Sequence, residues 1–357
     1  MNLKRLGLMV VAAAVAVSMA ACSSSASGSG TGSGTGGGTG SGSGSGSGSK
    51  SIANIVPGAL GDQSFFDSAE SGIQTLKAAG YTTTTLQADT TNIAQWKSNL
   101  QSVSTGQWGL VVIGSSVAVD PLTELAPKFP NQHYIFYDGE VKAPNVASIT
   151  YKQNESGYLS GVLAALVSGD PKSFPLAAGK KTIGVIGAMD IPVIQDTIVG
   201  FQAGAKAVDP NVKVLTSTVG SWTDSAKAYD QAKAMFDQGA DVVFGVASAA
   251  GAGILQAAKD ANKYAIGIDS NQNAVQRGHI LASALKKVGE SIDQAAKANE
   301  QGKLEYGKTT VFGLANDGVG LTYDDNGGIV PDSVVKAVDD YKKKVVAGDI
   351  KVPTVLA

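Results

Sequence analysis

The stretch SIANIVPGALGDQSFFDSAESG, residues 51–72, runs from an apolar segment through a glycine-flanked turn into a helical pattern. Residues 51–57 have the β-branched, apolar character of a buried strand, and residues 66–79 have the spacing of a helix. The turn carries Asp62, Asp67 and two adjacent phenylalanines, whereas a plain turn needs only glycine and short polar residues. The segment predicts one strand–turn–helix unit of an α/β fold, with a turn that either serves a ligand or only begins the helix.

Units of the same kind recur along the chain. Further strand candidates lie at residues 82–88, 109–114, 133–138, 146–151, 181–187, 212–218, 241–247, 264–269 and 309–314. Helical patterns lie between them at residues 92–105, 155–168, 191–207, 223–238, 251–262 and 284–301. Uninterrupted apolar strands that alternate with helices predict parallel sheets covered on both faces. Two such sets in tandem predict two doubly wound lobes, the first ending near Tyr151 and the second beginning with the helix at Glu155.

The first 50 residues differ in character from the rest of the chain. Residues 1–22 have a basic start, an apolar run and small residues before Cys22, the only cysteine, and this pattern predicts a secretory signal. The end of that segment, MAAC, resembles the lipobox of bacterial lipoproteins, which implies lipidation of Cys22, with palmitate among the lipids. Residues 23–50 are almost entirely Ser, Gly and Thr, and they predict a flexible tether with a root-mean-square span of roughly 30 Å.

Charge and missing motifs exclude several classes of function. The formal net charge of −2 becomes −4 without residues 1–22, because that segment holds two basic residues and no acids. No basic patch with interleaved aromatics supports nucleic-acid binding. His133 and His279, the only histidines, lack metal-ligand spacing, and neither a Walker loop nor a nucleophile elbow is present. The glycine turn at 249–256 could hold an anion, but it lacks the dinucleotide pattern. We therefore expect no metal, no cofactor and no enzyme, although a hydrolase built on paired carboxylates stays open.

Polar residues follow several predicted strands at their carboxyl ends. They are Asp62, Asp138, Trp222 and Asp269. Each alone could be a helix cap or a turn former, but ligands of open α/β sheets bind beyond these strand ends. Carboxylates accept hydrogen bonds from hydroxyl groups, and rings stack on flat apolar faces. With two facing lobes, these residues predict one cleft that suits a neutral sugar or nucleoside.

The order of several blocks resembles the basic membrane protein family of substrate-binding lipoproteins, which includes purine nucleoside receptors of ABC transporters. The most specific block is IGVIGAMDIPVI (183–194), followed by GFQAGAKAVDP (200–210). The other blocks are GDQSFFDSAESGI (61–73), ESGYLSGVLAAL (155–166), VGSWTD (219–224), AGAGILQAAKD (250–260), IGIDSNQ (266–272) and SALKKV (283–288). The resemblance covers nearly the whole chain after the tether.

The resemblance implies the type 1 periplasmic binding protein fold, α/β, with two doubly wound parallel-sheet lobes and a ligand cleft between them. It places residues 51–151 with about 278–313 in the N-terminal lobe. It places residues 152–277 with about 314–357 in the C-terminal lobe.

The resemblance also implies a role for each matching site residue. Asp62 would face the base, Asp138 and Asp269 would hold ribose hydroxyls, and Lys286 would reach the same sugar. Trp222 would stack on the base. The loop glycines Gly251 and Gly253 would let the backbone approach the ligand.

The opening stretch departs from the family pattern at Gly61, Phe66 and Glu70. Phe66 and Glu70 lie four residues apart and share a helix face, so Phe66 could supply the ring that Glu70 replaces. We expect Phe65 to pack in the lobe and Asp67 to be an exposed acid favoured by the helix dipole. Glu70 could pair with a guanine edge or point to solvent. These departures bear on the purine preference and leave the fold unaffected.

The combined expectation is a monomeric, lipid-anchored, extracytoplasmic substrate-binding protein of an ABC importer, which delivers a nucleoside, with purines first, to a permease. The same fold holding a free sugar or another polyol is the alternative. A cytoplasmic regulator is a further class, against which the lipobox argues.

Overall fold

The computed structural model describes residues 50–89 and 92–356. The predicted signal segment and the tether as far as residue 49 lie outside the described residues, and so does Cys22. The strands are β1 (Ser51–Val56), β2 (Thr82–Gln87), β3 (Leu110–Gly114), β4 (Tyr134–Tyr137), β5 (Val146–Tyr151), β6 (Thr182–Gly187), β7 (Lys213–Thr218), β8 (Val242–Val246), β9 (Tyr264–Asp269), β10 (Ile280–Lys286), β11 (Thr309–Phe312) and β12 (Val319–Thr322). The helices are α1 (Phe65–Ala78), α2 (Ile93–Val103), α3 (Val119–Leu125), α4 (Gln153–Gly169), α5 (Pro192–Val208), α6 (Ser225–Asp237), α7 (Gly251–Asp260), α8 (Val288–Glu300) and α9 (Asp332–Ala347).

The strands form two six-stranded sheets with matching orders. The first sheet runs β2-β1-β3-β4-β5-β11, and the second runs β7-β6-β8-β9-β10-β12. All neighbours are parallel except β10 and β12, which pair antiparallel. We call the two sheets with their covering helices the first lobe and the second lobe. In each lobe the strand order reverses beside the first strand, which is where doubly wound sheets bind ligands.

The predicted alternation of strands and helices is confirmed, with two strands added. The sequence missed β10 and β12, as well as helices α3 and α9. The helix predicted at 284–301 begins only at Val288, because residues 280–286 form β10. Since β10 pairs with β9, the chain stays in the second lobe until Lys287, and the predicted crossover near residue 278 is wrong.

Three chain crossings join the lobes side by side. They lie at Lys152, at Lys287 and at residues 313–318, between β11 and β12. The Lys152 amide donates to Phe312 O at 2.8 Å, and the Lys287 amide donates to Gly318 O at 3.0 Å. These bonds tie the crossings at Lys152 and Lys287 to the third crossing, between β11 and β12.

Glycines allow α4 and α5 of the second lobe to pack with their backbones in contact. A Cβ at Gly204 would lie 1.9 Å from Tyr158 O, and one at Gly161 would lie 2.0 Å from Phe201 O. Both helices also cover a continuous buried core that includes Val162, with residues of both sheets. The close approach fixes the helix N-termini, which face the cleft.

Within the described part of the chain, no helix combines the length and the apolar character needed to cross a bilayer.

Candidate functional site

A cavity lies between the lobes at the carboxyl ends of strands from both sheets. Its lining residues are Pro57, Phe65, Phe66, Ser115, Ser116, Val117, Asp138, Gln153, Ser156, Val193, Ile194, Thr197, Trp222, Val246, Ser248, Ile268, Asp269, Ala284 and Lys286. Five of the eight ligand residues predicted from the sequence are therefore brought together: Phe66, Asp138, Trp222, Asp269 and Lys286.

Asp138 and Asp269 occupy equivalent places in the two lobes. Asp138 follows β4, and Asp269 ends β9, the strand at the same position in the second sheet. Both residues have a φ of 64°, a left-handed conformation that aspartate tolerates better than most residues. The bend at each strand end turns both carboxylates toward the cleft, so the repeated architecture supplies a pair of facing acids.

Lys286 joins the lobes through an ion pair with Asp138. Its Nζ lies 2.7 Å from Asp138 Oδ1, and the side chains are 11% and 10% exposed. The same Nζ lies 5.4 Å from the ring centroids of Phe65 and Tyr151. A buried ion pair contributes little net stability, but removal of one partner is costly because a buried charge is left alone. The Lys286–Asp138 ion pair therefore links the two lobes at the cavity.

Asp269 is hydrogen-bonded across the cleft and has a perturbed pKa. Its Oδ2 accepts from Ser64 Oγ at 2.6 Å. Burial raises the pKa of Asp269 to about 6. The charge of Lys286 and the Ser64 hydrogen bond oppose this rise, whereas the charges of Asp62 and Asp138 add to it. This carboxylate is held as an acceptor in a site where its charge is only partly compensated.

The turn at residues 61–64 provides further contacts between the lobes. Gln272 Nε2 donates to Gln63 O at 3.0 Å, and Ser270 Oγ donates to Ser64 O at 3.0 Å. The turn thus serves lobe closure as well as the start of α1, a role that its sequence did not reveal.

Asp62, which the resemblance places opposite a ligand base, is not among the residues that line the cavity. Its carboxylate accepts from the backbone amides of Ser64, Phe66 and Asp67 at 3.0–3.1 Å. It also accepts from Ser248 Oγ of the second lobe at 3.1 Å. The first amides of a helix have no partner within the helix, and the geometry of the turn brings this carboxylate to them. Asp62 is a capping and closure residue.

The two phenylalanines of the opening stretch both line the cavity. Their ring centroids lie 5.7 Å apart at 70°, and Phe65 also contacts the Tyr137 ring at 5.8 Å. Phe66 is buried against Gly58, where a Cβ would come within 2.4 Å of its ring. Phe65 packs against the buried core, as expected, and it also lines the cavity.

The predicted glycine loop does not reach the cavity. Gly251 begins α7, and a Cβ at Gly253 would lie 1.9 Å from Ser225 O of α6. Gly253 lets α6 and α7 pack closely, and the nearby cavity residue is Ser248. Trp222, which follows β7, is half-buried and lines the cavity as predicted.

Glu70, left open by the sequence, has its partners inside the first lobe. Its carboxylate accepts from Asn54 Nδ2 at 3.1 Å, Thr85 Oγ1 at 2.8 Å and Gln74 Nε2 at 2.6 Å. It holds α1 against β1 and β2. It is thus neither among the cavity-lining residues nor simply solvent-facing.

Sequence reasoning missed the cavity residues carried by helices and by the turn after β3. Gln153 and Ser156 come from α4, and Thr197 comes from α5. Ser115 and Ser248 follow β3 and β8 with positive φ angles of 83° and 46°. The strand-end rule could have found these two serines, whereas no local pattern marks which turn of a long helix faces a cleft.

The cavity combines apolar and aromatic walls with a few polar groups. Its charged side chains are the acids Asp138 and Asp269 and the base Lys286. Within the described residues, no group of His, Cys, Asp and Glu has the arrangement to hold a metal ion. The arrangement can accept hydrogen bonds from hydroxyl or amino groups and can enclose a flat apolar face.

Comparisons with known proteins agree with this architecture. A family model described as ABC transporter substrate-binding protein PnrA-like matches residues 49–355. The ABC transporter nucleoside-binding protein BmpA of Lactococcus lactis subsp. cremoris is 31% identical over 330 residues, covering 85% of this chain and 89% of that protein. Basic membrane protein D of Borreliella burgdorferi is 30% identical over 292 residues, covering 78% and 80%.

Solved structures show the same fold. A solute-binding protein of an ABC transporter system from Aeropyrum pernix K1 superposes with a TM-score of 0.77 at 24% identity, covering 85% of this chain and 93% of the other. A second, from Conexibacter woesei, gives a TM-score of 0.68 at 22% identity, covering 86% and 99%. The expected type 1 fold is confirmed.

Proposed function

We propose, on the premise that this chain belongs to the PnrA-like family of ABC transporter substrate-binding proteins, that its ligand is a purine nucleoside. The family membership makes it a binding protein for a small molecule that works with an ABC permease, and not an enzyme. The nucleoside as the ligand class is suggested by the name of the Lactococcus relative and by the chemistry of the cavity.

The observation that carries the proposal is the placement of two carboxylates and a lysine beside aromatic rings in one interlobe cavity. Asp138 and Asp269 would accept hydrogen bonds from ribose hydroxyls, and Lys286, which is ion-paired with Asp138, also acts on Asp269 through its charge. Phe66 and Trp222 offer ring faces for a flat base. Charge-assisted hydrogen bonds of this kind are roughly twice as strong as neutral ones, so the sugar would contribute both affinity and orientation.

The same charges disfavour a nucleotide. The three charged side chains that line the cavity sum to −1, and a phosphate there would add negative charge to a partly desolvated site. Nucleoside monophosphates should therefore bind much more weakly than the parent nucleosides.

The cellular setting is part of the proposal. We infer that Cys22 carries a lipid and that the Ser/Gly-rich segment tethers the body to the outer face of the cell membrane. More than one acyl chain would be needed for a stable anchor. The tether would let a monomeric body reach the permease that receives the ligand.

A thermal-shift panel of guanosine, inosine, adenosine, their monophosphates, free bases and sugars tests the ligand class. A ligand at about 100 times its Kd stabilises the folded protein by roughly 2.7 kcal/mol, enough to raise the Tm by several degrees. A shift with ribose or other sugars and none with nucleosides would instead identify a polyol-binding protein. Equal shifts with guanosine and its monophosphate would contradict the placement of the acids.

Calorimetry on cavity variants tests the residue roles. Asp138→Ala and Asp269→Ala should each weaken binding by roughly 1.5–3 kcal/mol, because an ionised acceptor is lost. Trp222→Ala should cost less, about 0.5–1.5 kcal/mol beyond its area burial. A reversed order would show that stacking, and not the sugar hydroxyls, carries the affinity.

A further inference from the structure

The side-chain amide of Gln153 has a fixed orientation at the edge of the cavity. Gln153 begins α4, is buried and lines the cavity. Its Nε2 donates to Asp196 Oδ2 at 3.0 Å. A carboxylate accepts hydrogen bonds and does not donate them, so the nitrogen of this amide must face Asp196. The carbonyl Oε1 is consequently turned away from Asp196.

Asp196 connects this amide to the C-terminal tail. Asp196 lies on α5, beside the cavity residue Thr197, and is 1% exposed. Its Oδ1 accepts from Thr354 Oγ1 at 2.5 Å and from the Val355 amide at 3.0 Å. One oxygen of a buried carboxylate thus holds the cavity amide, and the other is held by the last residues of the chain.

The tail is seated on α4 by further contacts. Asn154, the neighbour of Gln153, donates from Nδ2 to Pro353 O at 3.0 Å. Ile350 and Val352 pack against the buried core. By contrast, Val355 is 50% exposed, so hydrogen bonding to Asp196 rather than burial holds the end of the tail at this point.

We propose that Asp196, held by the tail residues Thr354 and Val355, is a positioning residue that presents Gln153 Oε1 to the ligand as an acceptor. The cavity then selects a ligand that has an N–H or O–H group opposite Gln153. The ligand class rests on the proposed function, whereas the orientation of Gln153 does not. If the tail only covers apolar surface, its loss should change stability without changing ligand selection.

A ligand-free measurement tests the positioning step. The side-chain amide signals of Gln153 in the nitrogen–proton NMR spectrum are assigned by their loss in Gln153→Leu. In Thr354→Val, and more strongly in a chain ending at Val352, these signals should shift and exchange faster with water. Thr354→Ser, which keeps the hydroxyl, and Lys351→Ala, at an exposed site in the same tail, should leave them unchanged. Melting curves confirm that each variant is folded.

Signals that stay unchanged in the folded chain ending at Val352 would overturn the positioning role. The result of this NMR test does not depend on whether any nucleoside binds.

A ligand measurement tests the selection step. Calorimetry compares inosine with N1-methylinosine and 2′-deoxyinosine, each of which lacks one hydrogen-bond donor of inosine. Gln153→Leu should weaken inosine binding about tenfold and should have less than about a twofold effect on one of the two analogues. Thr354→Val should weaken inosine binding about threefold in the wild-type background and have no further effect in Gln153→Leu.

Equal effects of Thr354→Val on inosine binding in both backgrounds would show that the tail does not act through Gln153 and would overturn the proposal. Absence of nucleoside binding by the wild-type protein would instead contradict the proposed function, while the NMR result would still decide the orientation of Gln153.

Discussion

Nucleoside binding should weaken as the pH falls below about 6, because the pKa of Asp269 is raised to about 6 by burial. A ribose hydroxyl donates to a carboxylate, so the ligand should bind the ionised form of Asp269. The charged groups around it are Asp62 and Asp138 of the first lobe and Lys286 of the second. The ligand must therefore displace a proton wherever Asp269 is protonated in the free protein.

The size of the effect follows from the pKa. If only the ionised form binds, the apparent Kd rises by a factor of about 11 at pH 5 and by only about 1.1 at pH 7. The difference is roughly a factor of 10, or about 1.4 kcal/mol. Isothermal titration calorimetry between pH 5 and 7.5, in buffers of different ionisation enthalpy, measures both the affinity and the proton released.

The ligand-free protein should show the opposite slope. The folded-state pKa of Asp269 lies above the ordinary value of 3.8, so between about pH 4 and 6 the folded state holds a proton that the unfolded state has lost. This group's contribution to the free energy of unfolding therefore falls as pH rises through that window and is constant above about 6. The difference in the free energy of unfolding between wild type and Asp269→Asn, measured across this pH range, separates the contribution of Asp269 from that of other acids.

Asp269→Asn is also the matched control for binding. It should bind more weakly at pH 7 but with little dependence on pH, because the asparagine amide does not titrate in this range. A wild-type Kd that is flat from pH 5 to 7.5 would refute the argument. The same pH dependence in Asp269→Asn would assign the titration to another group.

Three further predictions concern the packing, the turn and the anchor. Gly204→Ala should lower the free energy of unfolding by about 1–3 kcal/mol, because the new Cβ would lie 1.9 Å from Tyr158 O. The control Gly320→Ala, which has no atom within 4 Å of the new Cβ, should change it by less than about 0.5 kcal/mol. Denaturant titrations of both variants measure these changes. Asp62→Ala should cost about 1–2 kcal/mol of stability, because the capping acceptor is lost, and it should change the Kd less than Asp269→Ala does. A larger effect on the Kd would return Asp62 to the ligand site. Cys22→Ala should release the protein from membranes with an unchanged Tm, and a variant that stays in the membrane fraction would place the anchor elsewhere.

Local patterns in the sequence were sufficient to predict most strands and helices of the fold. Runs such as 51–57 and 264–269 are apolar and β-branched, and periodic helical segments follow them. Because the carboxyl ends of parallel strands converge, the same pattern also predicted that Asp138 and Asp269 would meet. By contrast, β10 was missed because ILASALK (280–286) mixes small and polar residues, and only its pairing with β9 defines it as a strand.

Residue roles inside turns were harder to predict than strand ends. Asp62 and Asp269 look alike in the sequence, each following an apolar strand. The fold of the turn aims Asp62 at the free amides of α1, whereas the bend at Asp269 aims its carboxylate at the cavity. A different backbone conformation at one residue of the turn would exchange these roles, and the amino-acid composition of the turn does not determine that conformation.

The sequence by itself determined the order of elements, the two-lobed α/β class and the acids at the strand ends, since these depend on interactions between near neighbours along the chain. Only the tertiary structure decided which groups far apart in the chain meet. Ser64 reaches Asp269 and Thr354 reaches Asp196 over 205 and 158 residues of chain. Such contacts join residues far apart in the chain, so their partners depend on the global arrangement rather than on any local pattern.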